Sequence, residues 1–245
     1  MKRVAHCATV KRISGCYLAL PIKANFKSRR RERKKDAMKT LLVINSSVSG
    51  TSSVSRTLVE HAVAEFAKAD PGARIVRRDV GEAPIPHLTA ETLAGVRGTP
   101  QTEAEQRTRR LSDELIAELR AADTIIIGAP MYNFGVPTGL RAWFDHVLRA
   151  GETFAYSEAG PKGLLAGKRA IVIESRGGLY SEGPAKAADF QEPYLGQLLG
   201  FIGVTEVAFV HAEKIGFGPQ AREAAVATAK MQLSGVARQS VALYA

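Results

Sequence analysis

Residues 123–130 read Asp-Thr-Ile-Ile-Ile-Gly-Ala-Pro. A short, unbroken apolar run of this kind is typical of a strand that is buried on both faces of a sheet. Comparable runs lie at 40–44, 169–174 and 207–211, and a more polar run lies at 73–80. Stretches with apolar residues at helical spacing separate these runs. The sequence therefore predicts five strands alternating with five helices, which is an α/β fold with a doubly wound parallel sheet.

Charge divides the chain into two parts. Residues 1–37 contain twelve Lys and Arg against Glu32 and Asp36, whereas residues 38–245 contain 22 basic and 22 acidic residues. Both cysteines also lie in the first part. We predict a basic, disordered N-terminal arm over residues 1–37 and a single neutral domain over residues 38–245. The net charge of +10 is therefore a property of the arm.

The composition of the neutral domain excludes several classes of protein. It has no run of about 18 apolar residues to cross a membrane, and no cysteine for a disulfide framework or a Cys-based zinc site. Its balanced charge leaves no electrostatic footprint for nucleic acid. No small-residue cleavage signal follows the apolar stretch of the arm, so we predict a cytoplasmic protein. Its histidines show no metal-ligand spacing and no G-x-S-x-G motif occurs, so difficult chemistry would need a cofactor.

Three loops lie where a doubly wound sheet binds its ligands, beyond the carboxyl ends of the strands. Residues 46–55 are rich in Ser and Thr and precede a helix, which suits a phosphate. Residues 129–137 carry aromatic side chains beside an amide, which suits a flat heterocycle. Residues 175–178 end in two glycines that allow close approach of a ligand. Residues 81–101, which include Pro84, Pro86 and Pro100, are predicted to form a long loop.

One further glycine motif precedes the last predicted helix. Gly216-x-Gly218-x-x-Ala221 resembles a dinucleotide-binding fingerprint. Only 24 residues follow Ala221, and no further parallel strand with a terminal acidic residue is visible among them. The motif therefore predicts a helix start instead of a dinucleotide site.

Several stretches, in the same order along the chain, resemble the FMN-dependent NADH:azoreductases, also described as NADH:quinone oxidoreductases. They are Met131-Tyr-Asn-Phe134, Ser175-Arg-Gly-Gly178, Arg149-Ala-Gly151, Gly160-Pro161 and Leu199-Gly-Phe-Ile-Gly203. The resemblance runs from about Met38 to the C-terminus. It implies a flavodoxin-like fold with strand order 2-1-3-4-5 and a homodimer in which both subunits line each site. The arm has no counterpart in the family pattern.

The resemblance also implies one noncovalent FMN per subunit and assigns residues to it. The phosphate would be surrounded by Ser47, Ser53, Val54 and Ser55. The isoalloxazine ring would be held by Met131, Tyr132, Asn133, Phe134, Ser175, Arg176, Gly177 and Gly178. Arg97, Tyr156 and Phe201 match family residues near the substrate. NADH would deliver hydride to the flavin, and quinones or aromatic azo compounds would then accept two electrons at the same site in ping-pong fashion, with no side chain acting as catalyst.

Other functions remain open from the residues alone. The same fold could serve as a flavodoxin-type electron carrier, although the neutral charge and aromatic loop favour an enzyme. A flavin-binding regulator without turnover is a second alternative. The arm could bind RNA, DNA or anionic lipid, or could simply be an appendage translated upstream of the natural start at Met38.

Overall fold

The structure, a computed structural model, describes residues 39–242, with side chains described as far as Arg238. The predicted basic arm, residues 1–37, lies outside the described residues. Seven strands and six helices occupy the described part. The strands are β1 (Thr40–Asn45), β2 (Arg74–Asp79), β3 (Thr124–Pro130), β4 (Phe154–Ser157), β5 (Gly160–Gly163), β6 (Arg169–Ser175) and β7 (Glu206–Ala212). The helices are α1 (Val54–Ala69), α2 (Ala94–Arg97), α3 (Glu103–Ala121), α4 (Thr138–Val147), α5 (Glu192–Phe201) and α6 (Pro219–Ala242).

Five of the strands form one parallel sheet in the order β2-β1-β3-β6-β7. This confirms the predicted doubly wound sheet of order 2-1-3-4-5, since β6 and β7 are its fourth and fifth strands. The register aligns Thr124 with Arg169 and Pro130 with Ser175 across β3 and β6. As a result, the carboxyl ends of the strands lie at one edge of the sheet, where the predicted ligand-binding loops begin.

The two faces of the sheet bury separate apolar cores. Every residue of β1, β3 and β6 is buried, as their apolar sequences predict. Alternate side chains point to opposite faces. One face is covered by α3, α4 and α5, with Trp143 fully buried against the edge of Phe144 at 4.9 Å between ring centroids. The other face is covered by α1 and α6.

The sequence prediction missed one hairpin of two strands and one short helix. Strands β4 and β5 form a separate antiparallel hairpin, so the prediction of only five strands was incomplete. Their sequences, Phe-Ala-Tyr-Ser and Gly-Pro-Lys-Gly, have no apolar run because the hairpin is largely exposed. The predicted loop 81–101 contains the short helix α2. Among the described residues, no helix is both long enough and apolar enough to cross a bilayer.

Helix α4 packs directly against the chain that follows β2. A Cβ atom added to Gly139 in its first turn would lie 2.4 Å from the Val80 carbonyl oxygen, which belongs to the backbone and cannot easily move. We therefore expect Gly139→Ala to lower the free energy of unfolding by about 1–3 kcal/mol in urea titrations.

The matched control is Gly200→Ala in α5. An added Cβ there meets no atom within 4 Å. Because Ala favours a helix over Gly by about 1 kcal/mol, this variant should equal or exceed the wild type in stability. Equal effects of the two substitutions would contradict the packing described here.

Candidate functional site

A cleft of about 270 Å³ opens at the carboxyl edge of the sheet, above β1, β3 and β6. Its walls come from the three loops that the sequence singled out and from the segment that follows β7. The lining residues are Ser47, Ser49, Ser52, Ser53, Val54, Pro130, Met131, Tyr132, Ser175, Gly177, Ile215 and Arg222. The topology therefore brings together seven of the twelve predicted cofactor-binding residues: Ser47, Ser53, Val54, Met131, Tyr132, Ser175 and Gly177.

One end of the cleft is built from hydroxyl groups at the start of α1. Ser53 is the N-cap of this helix, and its side chain accepts a hydrogen bond from the Arg56 N–H at 3.2 Å. The hydroxyl of Ser55 is buried beneath the cleft and lies 3.1 Å from the Ser53 hydroxyl. The N-terminus of a sixteen-residue helix carries partial positive charge and unpaired N–H groups. This end of the cleft can therefore hold an anion such as a phosphate.

The loop after β3 forms the second wall. The hydroxyl of Tyr132 lies 3.3 Å from the Ser47 hydroxyl and accepts a hydrogen bond from the Val48 N–H at 3.3 Å. Asn133 and Phe134 follow in left-handed conformation, with φ of 48° and 69°. They form a tight turn closed by hydrogen bonds between Tyr132 and Gly135. Both turn residues are exposed and outside the lining of the cleft.

The loop after β6 forms the third wall and is joined to the second. The Met131 N–H donates to the Ser175 carbonyl at 2.9 Å. A Cβ atom added to Gly177 would meet no other atom within 4 Å, so this glycine leaves open space on its side of the cleft. Gly178 is covered by the ring of Tyr180, which lies 3.1 Å from the position of an added Cβ. The wall of the cleft at Gly177 therefore carries no side chain from this residue and has open space beside it.

Arg176, another predicted cofactor residue, does not direct its side chain into the cleft. Its side chain is fully buried and turned away from the cleft. Its guanidinium forms ion pairs with Glu174 at 2.6 Å, Asp189 at 3.0 Å and Glu213 at 3.2 Å. A side-chain contact between Arg176 and a cofactor would require this cluster to open, so the predicted contribution of this residue is restricted to its backbone.

Glu213 joins this buried cluster to the third loop. One carboxylate oxygen accepts hydrogen bonds from the Tyr180 N–H at 2.7 Å and the Ser181 N–H at 3.0 Å. Burial raises the pKa of Glu213, but the hydrogen bonds from Ser181, Tyr180 and Arg176 together outweigh burial and hold this pKa below its ordinary value. Glu213 therefore stays ionised and anchors the loop that carries Gly177.

His211 lies at the far side of the same cluster. Its Nε2 atom is 2.8 Å from a carboxylate oxygen of Glu192 and 3.1 Å from one of Glu174. The hydrogen bond to Glu174 raises the pKa of His211. Burial raises the pKa of Glu174 as well, despite the nearby Arg176 and His211. The spacing of these residues in the sequence gave no sign that they meet, because they come from β6, α5 and β7.

The three predicted substrate residues lie outside the lining of the cleft. The Arg97 guanidinium donates to the Leu148 carbonyl at 2.6 Å. Tyr156 is 75% exposed on the β4–β5 hairpin, with its ring on the edge of Phe154. Phe154 in turn packs against Phe201 at 4.6 Å between ring centroids. In the described part of the single chain, Arg97, Tyr156 and Phe201 thus do not line this cleft, and their place near the substrate stays a prediction.

Sequence reasoning missed the contribution of the segment after β7. Ile215 and Arg222 line the cleft, although only the loops after the first, third and fourth strands of the sheet were expected to do so. Arg222 lies in the first turn of α6 and donates to the Ser52 carbonyl at 3.1 Å. A signal was present in the sequence, since Arg222 directly follows the Gly216-x-Gly218-x-x-Ala221 motif.

The titration of His211 yields a test of the buried cluster. Because its folded-state pKa lies above the ordinary value of 6.5, protonated His211 stabilises the folded chain below pH 6.5, and this stabilisation is lost as the pH rises through the raised value. We expect the difference in unfolding free energy between wild type and His211→Gln to be largest at about pH 6 and to shrink by about pH 9. Urea unfolding at both pH values measures it, with exposed His87→Gln as the control. A difference that grows toward alkaline pH would contradict the cluster.

Comparison with known proteins agrees with this geometry. Residues 39–236 match a protein-family model described as a flavodoxin-like fold. An FMN-dependent NADH:quinone oxidoreductase of Hyphomonas neptunium is 66% identical over 201 residues, covering 82% of this chain and 97% of that protein. One of Ralstonia nicotianae is 44% identical, covering 82% of this chain and 99% of that protein.

A solved structure gives the same result. The FMN-dependent NADH-azoreductase of Bacillus anthracis, crystallised in complex with FMN, superposes with a TM-score of 0.76 at 25% identity, covering 83% of this chain and all of that one. The sheet order, the cleft and these relatives together show that the chain belongs to the flavodoxin-like family of FMN-dependent NADH:quinone oxidoreductases and azoreductases.

Proposed function

We propose that this chain is an FMN-dependent oxidoreductase that uses NADH to reduce quinones. The observation that carries the proposal is the cleft itself, which has a hydroxyl-lined helix N-terminus at one end and open space beside Gly177 at the other. A phosphate joined to a planar ring matches those two ends. The relatives named for FMN and NADH support the same assignment.

The serine-lined end would hold the cofactor's phosphate. Ser47, Ser53 and Val54 line this end of the cleft. The buried Ser55 hydroxyl would hold the Ser53 hydroxyl in position through the hydrogen bond between them. Hydroxyl groups and the N–H groups of the first turn of α1 are the donors that a phosphate accepts. The carboxylates of Asp79 and Glu82 form ion pairs with Arg56 at 2.7 and 2.9 Å, so their negative charge is paired and would not repel the phosphate strongly.

The other end would hold the isoalloxazine ring. Met131 and Tyr132 would supply contact surface, and Gly177 would leave room for the ring. When bound, FMN supplies the hydride chemistry between NADH and the acceptor. The described lining residues include no carboxylate, imidazole or thiol, so the chain would orient the reactants and solvent would supply the protons.

NADH and the acceptor would use the open side of this cleft in turn, which gives ping-pong kinetics. Azo compounds would be acceptors as well as quinones, in line with the azoreductase name of the structural relative. A cytoplasmic location is also proposed, on the sequence alone.

The cofactor assignment is tested by filling the ring end. Gly177→Val should fold normally, because an added Cβ meets no atom, but its side chain would occupy the space assigned to the ring. We expect wild-type protein to bind FMN, to lose its flavin absorbance with NADH under anaerobic conditions and to regain it with a quinone. Gly177→Val should bind FMN at least about tenfold more weakly at an unchanged melting temperature.

Gly72→Val, in the turn at the opposite edge of the sheet, is the matched control and should bind FMN like wild type. Wild-type protein that takes up no FMN would overturn the proposal. If Gly177→Val binds FMN as tightly as wild type, the isoalloxazine ring does not lie beside Gly177 and this part of the proposal is wrong. Intersecting instead of parallel double-reciprocal lines would contradict the shared cleft.

We propose further that the enzyme is a homodimer, in which Tyr156 of one subunit approaches the cleft of the other. Tyr156 is 75% exposed in the single chain, and the neighbouring Leu164 is 43% exposed. Large side chains left this exposed on a hairpin are suited to an interface.

Sedimentation equilibrium should give the mass of two chains, and Tyr156→Ala should raise the KM for the acceptor without loss of bound FMN. Exposed Met231→Ala, in α6 and outside both the hairpin and the lining of the cleft, serves as the control for removal of a large apolar side chain. A fully active monomer would contradict this part of the proposal.

A further inference from the structure

Arg222 places a cation at the phosphate end of the cleft. Its side chain lines the cleft together with Ser49, Ser52 and Ser53, and its guanidinium donates to the Ser52 carbonyl at 3.1 Å. Among the lining residues that the structure describes, Arg222 is the one that carries a charge. The serine loop therefore faces a fixed positive group that the sequence pattern of the loop does not contain.

The surroundings of Arg222 leave its charge uncompensated. Within residues 39–238, it forms no ion pair with a carboxylate, whereas Arg56 at the start of α1 is paired with Asp79 and Glu82. Arg222 also lies in the first turn of α6, which contains no acidic residue. A cation at that end of a helix opposes the helix dipole. Its position is thus unfavourable for its own helix and suits an anion in the cleft.

The glycine motif explains how Arg222 reaches the cleft. The Gly216 N–H donates to the Gly177 carbonyl at 3.0 Å, and a Cβ atom on Gly216 would lie 3.1 Å from that oxygen. A side chain at this position would push the segment away from the wall of the cleft. The motif therefore seats the start of α6 against the ring-binding loop and brings Arg222 opposite the serines.

We propose that Arg222 binds the phosphate of FMN and is the residue by which the chain distinguishes FMN from riboflavin. This inference rests on the proposed function. Hydrogen bonds between a guanidinium and a phosphate are charge-assisted and are stronger than those from serine hydroxyls. The exposed side chain is partly screened by water, which limits its contribution.

The test compares dissociation constants for FMN and riboflavin, measured by flavin fluorescence, in four full-length proteins: wild type, Arg222→Gln, Arg222→Lys and Arg238→Gln. Arg238 is exposed on the same helix, about 24 Å further along its axis, and controls for the loss of one positive charge. We expect Arg222→Gln to weaken FMN binding about tenfold and to leave riboflavin binding unchanged. Arg222→Lys should recover part of the preference, and Arg238→Gln should match wild type.

Salt gives a second readout. Raising the ionic strength should weaken FMN binding to wild type more than to Arg222→Gln. If Arg222→Gln weakens the binding of FMN and of riboflavin equally, Arg222 acts only through its hydrogen bond to the Ser52 carbonyl, and the inference is overturned. An unchanged preference for FMN also overturns it. If wild type binds neither flavin, the proposed function itself fails, which is a different outcome from either of these.

Discussion

Burial of β1, β3 and β6 on both faces is the constraint from which the site follows. These strands carry apolar side chains on both faces, so neither face can be exposed to water at low cost. Both faces are buried only when the strands form the centre of a parallel sheet that is covered by helices on either side. The register then places Pro130 beside Ser175 and Ser175 beside Ala212. The loops that continue from these ends share one edge, so the cleft is a direct consequence of the packing of the sheet.

A buried charge cluster connects the segments that form this edge. Removing Arg176 from water is costly, and the cost is offset by the carboxylates of Glu174, Asp189 and Glu213 around it. These partners come from the end of β6, the start of α5 and the segment after β7. The cluster thus fixes the relative positions of three segments while the cleft above it stays free of carboxylates. The Arg176 side chain thereby holds the loop after β6 in place, and the predicted contribution of its backbone to cofactor binding stays a prediction.

The sequence predicted the parts of the structure that depend on local pattern. Four of the five strands of the sheet were found as apolar runs and β2 as a more polar run, and the start of α1 was indicated by the hydroxyl residues that include the N-cap Ser53. The β4–β5 hairpin was missed because Gly160-Pro-Lys-Gly163 buries almost nothing. The contact of His211 with Glu174 and the burial of the Arg176 side chain depend on contacts between distant elements, which no spacing in the chain records. The place of Arg222 in the cleft also depends on such a contact, although the glycine motif before it pointed to this segment.

A crystal structure of the protein with FMN would test the central claim most directly. We predict that the phosphate lies against the serine loop at the N-terminus of α1, within hydrogen-bond distance of the Ser53 side chain or the first-turn N–H groups, and that the ring lies between Met131 and Gly177. A flavin bound at another surface, or bound in this cleft with its phosphate directed away from α1, would contradict the account.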